Sequence, residues 1–297
     1  MRIWILAVVF NILIIMLLTP LPKDCPKCHQ GDDPTVRFGP PVKRTIPKDR
    51  IFIPEDFKDH NMREGLGINK AIMLSVNHNM KELGEISMPN HKMYCDKHNI
   101  KYYVLRPEKD FVTSYPGAWG KLVGLRNALL EGWQYAIWID ADAVFTNFTD
   151  DILQHVDEEH ELYLSSDFNG LNSGVMIVRN TAWSAMYLGY LYEFKDKWPE
   201  GVNPCFRYEQ RGIGLTFDDI CFRKKNPSFP KFPYADDVRR RIKILPSSRF
   251  NAYECFSTQC RASKWHKGDT VFHVPGMGNK AARIKNKLKS LGLYKKK

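Results

Sequence analysis

The stretch Tyr135-Ala136-Ile137-Trp138-Ile139-Asp140-Ala141-Asp142-Ala143 is a short apolar run that ends abruptly on two carboxylates. A run this short, rich in β-branched and aromatic residues, reads as a strand buried on both faces. The residues after it leave the sheet at the carboxyl end of the strand, the end at which open α/β sheets bind ligands. Side chains two apart in an extended segment point the same way. Asp140 and Asp142 are therefore expected to face one another and to repel unless a cation sits between them. Carboxylate oxygens suit Mg²⁺ or Mn²⁺, and such ions also bridge diphosphate oxygens. The plain alternative is a surface turn with two solvated carboxylates.

Working outward, Lys70 to Val76 (KAIMLSV) and Ile100 to Leu105 (IKYYVL) read as further strands. Pro89 to His98 reads as a helix with its proline in the first turn. Trp119, Leu122, Leu125 and Leu129 recur at helical spacing, and Gly132 ends that helix. Glu161 to Leu164 and Gly174 to Val178 read as strands. Asn180 or Thr181 caps a helix carrying Trp183, Met186, Tyr190 and Phe194. Strands alternating with helices predict an α/β sheet, largely parallel.

The chain has 297 residues, 43% hydrophobic and 26% charged, an ordinary globular balance. Its formal charge of +11 suggests nucleic acid at first. The excess is concentrated in a tail: from Val274 onward there is no acidic residue, while Lys280, Arg283, Lys285, Lys287, Lys289 and Lys295 to Lys297 are positive. No nucleic-acid-binding motif accompanies it, so no nucleic-acid partner is expected. Ile3 to Leu18 is apolar apart from Asn11, preceded by Met1 and Arg2. It reads as a signal anchor (3–19) behind a cytoplasmic stub (1–2), with a cleaved signal peptide as the competing reading. Seven prolines between Pro20 and Pro47 mark a stem over 20–66. A globular domain then occupies 67–297. This is the layout of a single-pass type II membrane enzyme. Of the seven cysteines, Cys255 with Cys260 and Cys205 with Cys221 are plausible pairs, and Cys25-x-x-Cys28 is expected to form a stem disulfide.

Other residues carry chemistry more weakly. Asn172-Ser173-Gly174, read as a turn before a strand, permits close backbone approach to a ligand. Tyr208-Glu209-Gln210, just ahead of a helix, could face a sugar or lie on a helix surface. His273 ends the run Gly268 to His273 and could complete a metal site. Gly276 and Lys280 follow it and could cradle a phosphate. Phe229, Phe232 and Tyr234, interleaved with prolines, read either as aromatic platforms for a sugar or as aromatics tucked into the core.

Together these pieces resemble glycosyltransferase family 34, the fungal α-galactosyl- and α-mannosyltransferases, plant galactomannan galactosyltransferases and xyloglucan xylosyltransferases. The resemblance rests on Tyr94 to His98 with Tyr102-Tyr103, Trp119 to Leu122, Trp138 to Asn147, Gly170 to Asn180 with Trp183-Ser184, Glu209-Gln210, Phe250 to Tyr253, and Gly268 to Gly276, in order over residues 70–285. It implies a GT-A type nucleotide-sugar-binding fold, dependence on Mn²⁺ with Mg²⁺ as the alternative, and transfer from a UDP- or GDP-sugar to a glycan acceptor with retention, giving an α-linkage. By position, Asp140, Asp142 and His273 would hold the metal. Lys121, Asp140, Ala141, Asn172, Ser173, Gly276 and Lys280 would bind the nucleotide sugar, and Gln210 with Glu209 would lie beneath the reacting sugar. Ala141 stands where the family often has serine, and the acidic stretch before the glutamine is reduced to Tyr208-Glu209. The layout and the resemblance point to the Golgi membrane with a lumenal catalytic domain, and leave homo- or hetero-oligomers open. The competing classes are a scaffolding subunit of a Golgi transferase complex and a nucleotidyltransferase. The latter is disfavoured because no Gly-rich, lysine-containing loop follows the first strand.

Overall fold

A computed structural model of the chain describes residues 71–76, 81–105, 117–167, 170–194, 208–219, 232–255 and 260–294. All fall within one compact unit, Pro41–Lys297. The expected anchor and stem, Cys25, Cys28, Cys205, Cys221 and Phe229 lie outside these residues. Among the described residues, no helix is long and apolar enough to cross a membrane.

Six strands form the central sheet, in the order β2-β1-β3-β6-β5-β7. They are β1 (Ala71–Val76), β2 (Lys101–Leu105), β3 (Tyr135–Ile139), β5 (Leu162–Asp167), β6 (Gly170–Arg179) and β7 (Ile242–Leu245). β1 runs parallel to β2 and β3, and β5 to β7, whereas β6 is antiparallel to both β3 and β5. One reversed strand among otherwise parallel ones accords with the expectation of a largely parallel α/β sheet. It also brings the carboxyl ends of β3, β5 and β7 to the same sheet edge as the first half of β6.

Both faces of the middle of the sheet are covered, which is why β1, β3 and the second half of β6 read as near-continuous apolar runs, whereas the edge strands β2 and β7 are partly exposed. Ile72, Leu74, Ala136, Trp138, Met176 and Val178 pack on one face with Trp119, Leu122 and Leu125 of α2 (Gly117–Leu130) and Leu188 and Leu191 of α3 (Ala182–Phe194). Met73, Ile137, Ile139, Val175 and Ile177 pack on the other with Tyr94 of α1 (Lys81–Lys97). Gly132, at φ +94°, closes α2 through N–H bonds back to Leu129 and from Trp133 to Ala128. Thr181 caps α3, its hydroxyl accepting the Ser184 N–H at 3.1 Å.

Three sequence expectations change. α1 begins at Lys81 and carries Pro89 in its interior. Pro89 and Glu85, whose carbonyl loses its partner, both lie on the exposed face, where water can replace the bond. The buried face carries the helix on past them. Asn90 makes two bonds to the Phe145 backbone, at 2.8 and 2.9 Å, and Tyr94 stacks on the Phe145 ring at 3.5 Å. Secondly, β6 begins at Gly170, so Asn172-Ser173-Gly174 lies within the strand. A register shift in β5 between Tyr163 and Ser165 lets Ser165, Ser166 and Asp167 pair with Asn172, Leu171 and Gly170, lengthening both strands. Thirdly, Glu209 and Gln210 form the first turn of α4 (Glu209–Phe217) rather than preceding it.

A smaller sheet, β4-β9-β8, sits against the carboxyl end of β3. It comprises β4 (Ala143–Phe145), β8 (Ala252–Tyr253) and β9 (Val271–His273). Phe232 packs against the core cluster beside α3, so that aromatic is tucked inward, whereas Tyr234 is 40% exposed. Among the described residues, the other α-helices are α5 (Ala235–Arg241), α6 (Ser247–Phe250) and α7 (Lys280–Ser290). The predicted Cys255–Cys260 disulfide is present, and Cys95 is a buried free thiol.

Candidate active site

Asp140 follows β3 directly, with its N–H bonded to the Gly174 carbonyl at 2.8 Å. The chain then turns rather than staying extended: the Ala143 N–H returns to the Asp140 carbonyl at 3.0 Å. Strand alternation therefore does not explain why the two carboxylates meet. The cause is long-range pairing, with Ala143 opposite His273 in β4–β9 and the Val274 N–H on the Asp142 carbonyl at 3.0 Å. Asp140, Asp142 and His273 thereby offer ligand atoms within 4.8 Å of one another. The Ala141 methyl points away into an apolar cluster with Leu83, Val144 and Ile284.

His273 is fixed from two sides. Its Nδ1–H donates to Asn251 Oδ1, which leaves Nε2 facing Asp142 Oδ1 at 3.1 Å. Gly174 explains the small residue in Asn172-Ser173-Gly174: a Cβ there would lie 2.8 Å from His273 Nδ1. The close approach anticipated for a ligand is made to the histidine. Lys280, the first residue of α7, places its ammonium 2.5 Å from Asp142 Oδ2. Burial alone would raise the Asp142 carboxyl, but His273 and Lys280 outweigh it and hold the group well below the usual carboxylate range. Gly276, at φ +66°, forms the turn between β9 and α7.

A second charged group lies under Asp140. Lys121 of α2 is buried, with its ammonium 3.1 Å from Asp140 Oδ1, 2.9 Å from Glu209 Oε1 and 3.1 Å from the Ser173 carbonyl. Burial would lower its pKa, yet Asp140 and Glu209 drive it above the ordinary lysine value. The Trp138 indole N–H donates to the same Asp140 oxygen at 2.6 Å. Ser173 binds both α4 residues: its hydroxyl donates to Glu209 Oε1 at 2.7 Å and its N–H to Gln210 Oε1 at 3.1 Å. Glu209 Oε2 is buried without a hydrogen-bond partner. Asn172 turns its Oδ1 to the Gly174 N–H at 2.8 Å and its Nδ2 to Asp167 at 3.0 Å.

Asp140, Asp142, His273, Lys280, Lys121, Ser173, Glu209 and Gln210 thus converge, with Lys121 as the buried tie between the candidate metal-ligand side and the Glu209–Gln210 side, whereas Ala141 turns away into the apolar cluster and Gly276 is placed only in the turn before α7. Asn251 was not assigned a role from sequence, because its link to His273 spans 22 residues and two segments. Its only signal was its place in the Phe250–Tyr253 match. Two carboxylates and an imidazole form a donor set suited to a divalent cation. The Lys280 ammonium on Asp142 shows the site drawing positive charge.

Residues 68–158 match the sequence profile of the galactosyl transferase GMA12/MNN10 family. The chain is 29% identical over 120 residues to a rice protein (Oryza sativa subsp. indica) named Probable glycosyltransferase 6, a stretch covering 35% of this chain and 22% of that protein. It is 27% identical over 175 residues to Xyloglucan 6-xylosyltransferase 1 of Arabidopsis thaliana, covering 55% of this chain and 34% of that one. The chain therefore spans well under half the length of these relatives. In fold it is similar, at a TM-score of 0.51 and 14% identity, to a glycosyltransferase involved in the glycosylation of the major capsid of PBCV-1. That match covers 74% of this chain and 99% of the other.

Proposed function

We propose, from the premise that the chain belongs to the galactosyl transferase GMA12/MNN10 family, that it is a metal-dependent retaining glycosyltransferase moving a hexose or xylose from a UDP- or GDP-sugar to a glycan acceptor. The product is an α-linkage, and the setting is the Golgi lumen, behind an N-terminal anchor and stem. The observation that carries this reading is the meeting of Asp140, Asp142 and His273 within 4.8 Å, next to the buried Lys121–Glu209 pair.

Asp140, Asp142 and His273 would hold Mn²⁺ or Mg²⁺. Bound there, the cation supplies charge neutralisation for a diphosphate leaving group. Lys280 already lies on Asp142 and can transfer its charge to the same leaving group as a donor enters. Gln210 and Glu209 lie side by side against Ser173, where they would orient the donor sugar. The Glu209 carboxylate is tied by Lys121 and Ser173, which suits electrostatic support of an oxocarbenium-like sugar better than a covalent role. Attack by the acceptor hydroxyl on the face the diphosphate leaves, with the glycosidic C–O bond forming as the C–O bond to the diphosphate breaks and the hydroxyl proton passing to a departing phosphate oxygen, would then retain configuration.

The full chain, incubated with Mn²⁺ across UDP- and GDP-sugars, is expected to release one nucleotide. That release should vanish in Asp140→Ala/Asp142→Ala, and the product anomer should be α by NMR. No turnover together with no Mn²⁺-dependent nucleotide binding would favour the scaffolding-subunit reading. A β-product would reject retention alone.

A further inference from the structure

At the same end of the sheet, at β5 and β7, which follow β6 in the strand order, lies a pocket of about 480 Å³. It is lined by Ser166 and Asp167 of β5, Ile244 and Leu245 of β7, Pro246 and Ser247 at the start of α6, and Ala262 and Ser263. We infer that this pocket is a subsite for a neutral pyranose ring of the acceptor glycan, an inference that rests on the glycosyltransferase reading above.

Its position is the first reason. Asn172 bridges the two regions with one amide. Its Oδ1 holds the Gly174 N–H, beside His273, and its Nδ2 holds Asp167 on the pocket wall at 3.0 Å. A ligand in the pocket is thus one side chain away from the strand that carries the candidate donor site.

The lining chemistry is the second reason. Among the described residues its lining holds one carboxylate, Asp167, and no cationic side chain, a balance that suits a neutral hydroxylated ligand better than the phosphates expected on the Lys280 side. The Ser247 hydroxyl donates to the Ser166 carbonyl at 2.8 Å and accepts from Ser263 Oγ at 3.1 Å, so these two serines present acceptor lone pairs, with Ser166 beside them on the lining. Ile244 and Pro246 line the pocket as exposed apolar residues, and Leu245 lines it while belonging to the buried core. A carboxylate with hydroxyls beside apolar residues matches a sugar ring, which presents hydroxyls at its edge and C–H groups on its face.

The third reason is that the wall is fixed in advance. The Cys255–Cys260 disulfide immediately precedes it, and the Ser263 N–H returns to the Cys260 carbonyl at 3.0 Å. A preformed wall loses little entropy on binding.

The test uses the full chain with cellobiose, lactose and α-1,6-mannobiose as probes, and two variants. Asp167→Asn removes the charge. Ala262→Trp fills the pocket from an exposed rim position, where folding should not suffer. Binding is read by saturation-transfer NMR. Transfer and hydrolysis are read together in the presence of Mn²⁺ and donor. At least one disaccharide should bind, at least tenfold more weakly in Ala262→Trp, and the ratio of transfer to hydrolysis should fall at least tenfold in both variants. Hydrolysis by the wild-type chain with no sugar binding, or with binding and ratio unchanged in both variants, overturns the subsite. A wild-type chain that hydrolyses no donor rejects the glycosyltransferase reading instead, and the NMR titration then decides the pocket by itself.

Discussion

Asp142 and Asp150 are built from the same parts and come to different ends. Each is a buried carboxylate that meets a histidine and a cation from another segment: His273 and Lys280 for Asp142, His155 and Arg249 for Asp150. Asp150 also receives the Thr270 hydroxyl and the Gln154 amide. Its oxygens are taken up by donors, and among the described residues no second carboxylate joins it in a cluster of potential ligands. Asp142 has Asp140 beside it, with His273 in reach of both. The two clusters grip opposite ends of one short strand, since Thr270 precedes β9 and His273 ends it. Carboxylate, histidine and cation alone therefore do not define a metal site. What distinguishes one is negative charge left in excess, and Asp150 serves instead to anchor the strand that presents His273.

That contrast predicts variants that separate by readout. Asp142→Ala should reduce metal-dependent donor turnover by about a thousandfold or more, the several kcal/mol that cation-stabilised leaving-group charge supplies. Asp150→Ala should cost about 3 kcal/mol of unfolding free energy, because it strands the Thr270 hydroxyl and three further donors. Its turnover per folded molecule should stay within about threefold of the parent. Denaturant titration and rate measurement on one preparation check both. Equal loss of turnover in the two variants, at equal folded fraction, would erase the distinction.

Asn251 offers a smaller test on the Asp142 side. Partners that orient a ligating histidine typically account for about tenfold or more in metal affinity. Asn251→Ala should therefore raise the Mn²⁺ concentration giving half-maximal turnover about tenfold, while Asn251→Asp, which keeps an acceptor for Nδ1–H, should recover most of it. Electron paramagnetic resonance of free Mn²⁺ measures the affinity without turnover. An unchanged affinity in Asn251→Ala would mean that the β4–β9 pairing alone orients His273.

Legibility from sequence followed the range of the interaction. β1 and β3 were visible because nearly all their residues are buried, β2 because an edge strand can still be rich in aromatic and β-branched residues, and α2 because Trp119, Leu122, Leu125 and Leu129 recur at helical spacing. The Asp140–Asp142 pair was visible, but for an incomplete reason, since a turn and not an extended strand links the two. Pro89 obscured the start of α1, because the contacts that carry the helix past it, Asn90 and Tyr94 onto Phe145, come from residues about 50 positions away. β6 was read short because its first half is fixed by a register shift in β5. The approach of His273 to Asp142 spans 131 residues, and no local pattern encodes it. It was reached through the family resemblance, which also carried Lys121, though nothing in the sequence marked that lysine as buried between two carboxylates.

His91 calibrates the comparison, because it is a buried histidine with no carboxylate in contact. Its Nε2–H donates to the Ala143 carbonyl at 2.7 Å, on the turn beyond Asp142, and its Nδ1 faces the Tyr102 hydroxyl at 3.3 Å. Burial pushes its pKa down from 6.5 to about 4, against a smaller opposing effect of the Ala143 bond. The folded chain therefore keeps the ring neutral while the unfolded chain takes a proton, so stability is full above pH 6.5 and declines as pH falls toward 4. Asp142 and Asp150 have the same sign but another window: their pKa values are lowered from 3.8, so their contribution is lost only near and below that value. Between pH 7.5 and 5.5 the His91 contribution stands apart, and one proton taken up on unfolding should cost about 1 kcal/mol over that interval. Unfolding free energies at the two pH values, for the parent chain and for His91→Gln, check it. The parent should lose about 1 kcal/mol more than the variant, and equal losses would show that the ring is solvated enough to titrate in the folded state, so that burial does not hold it neutral.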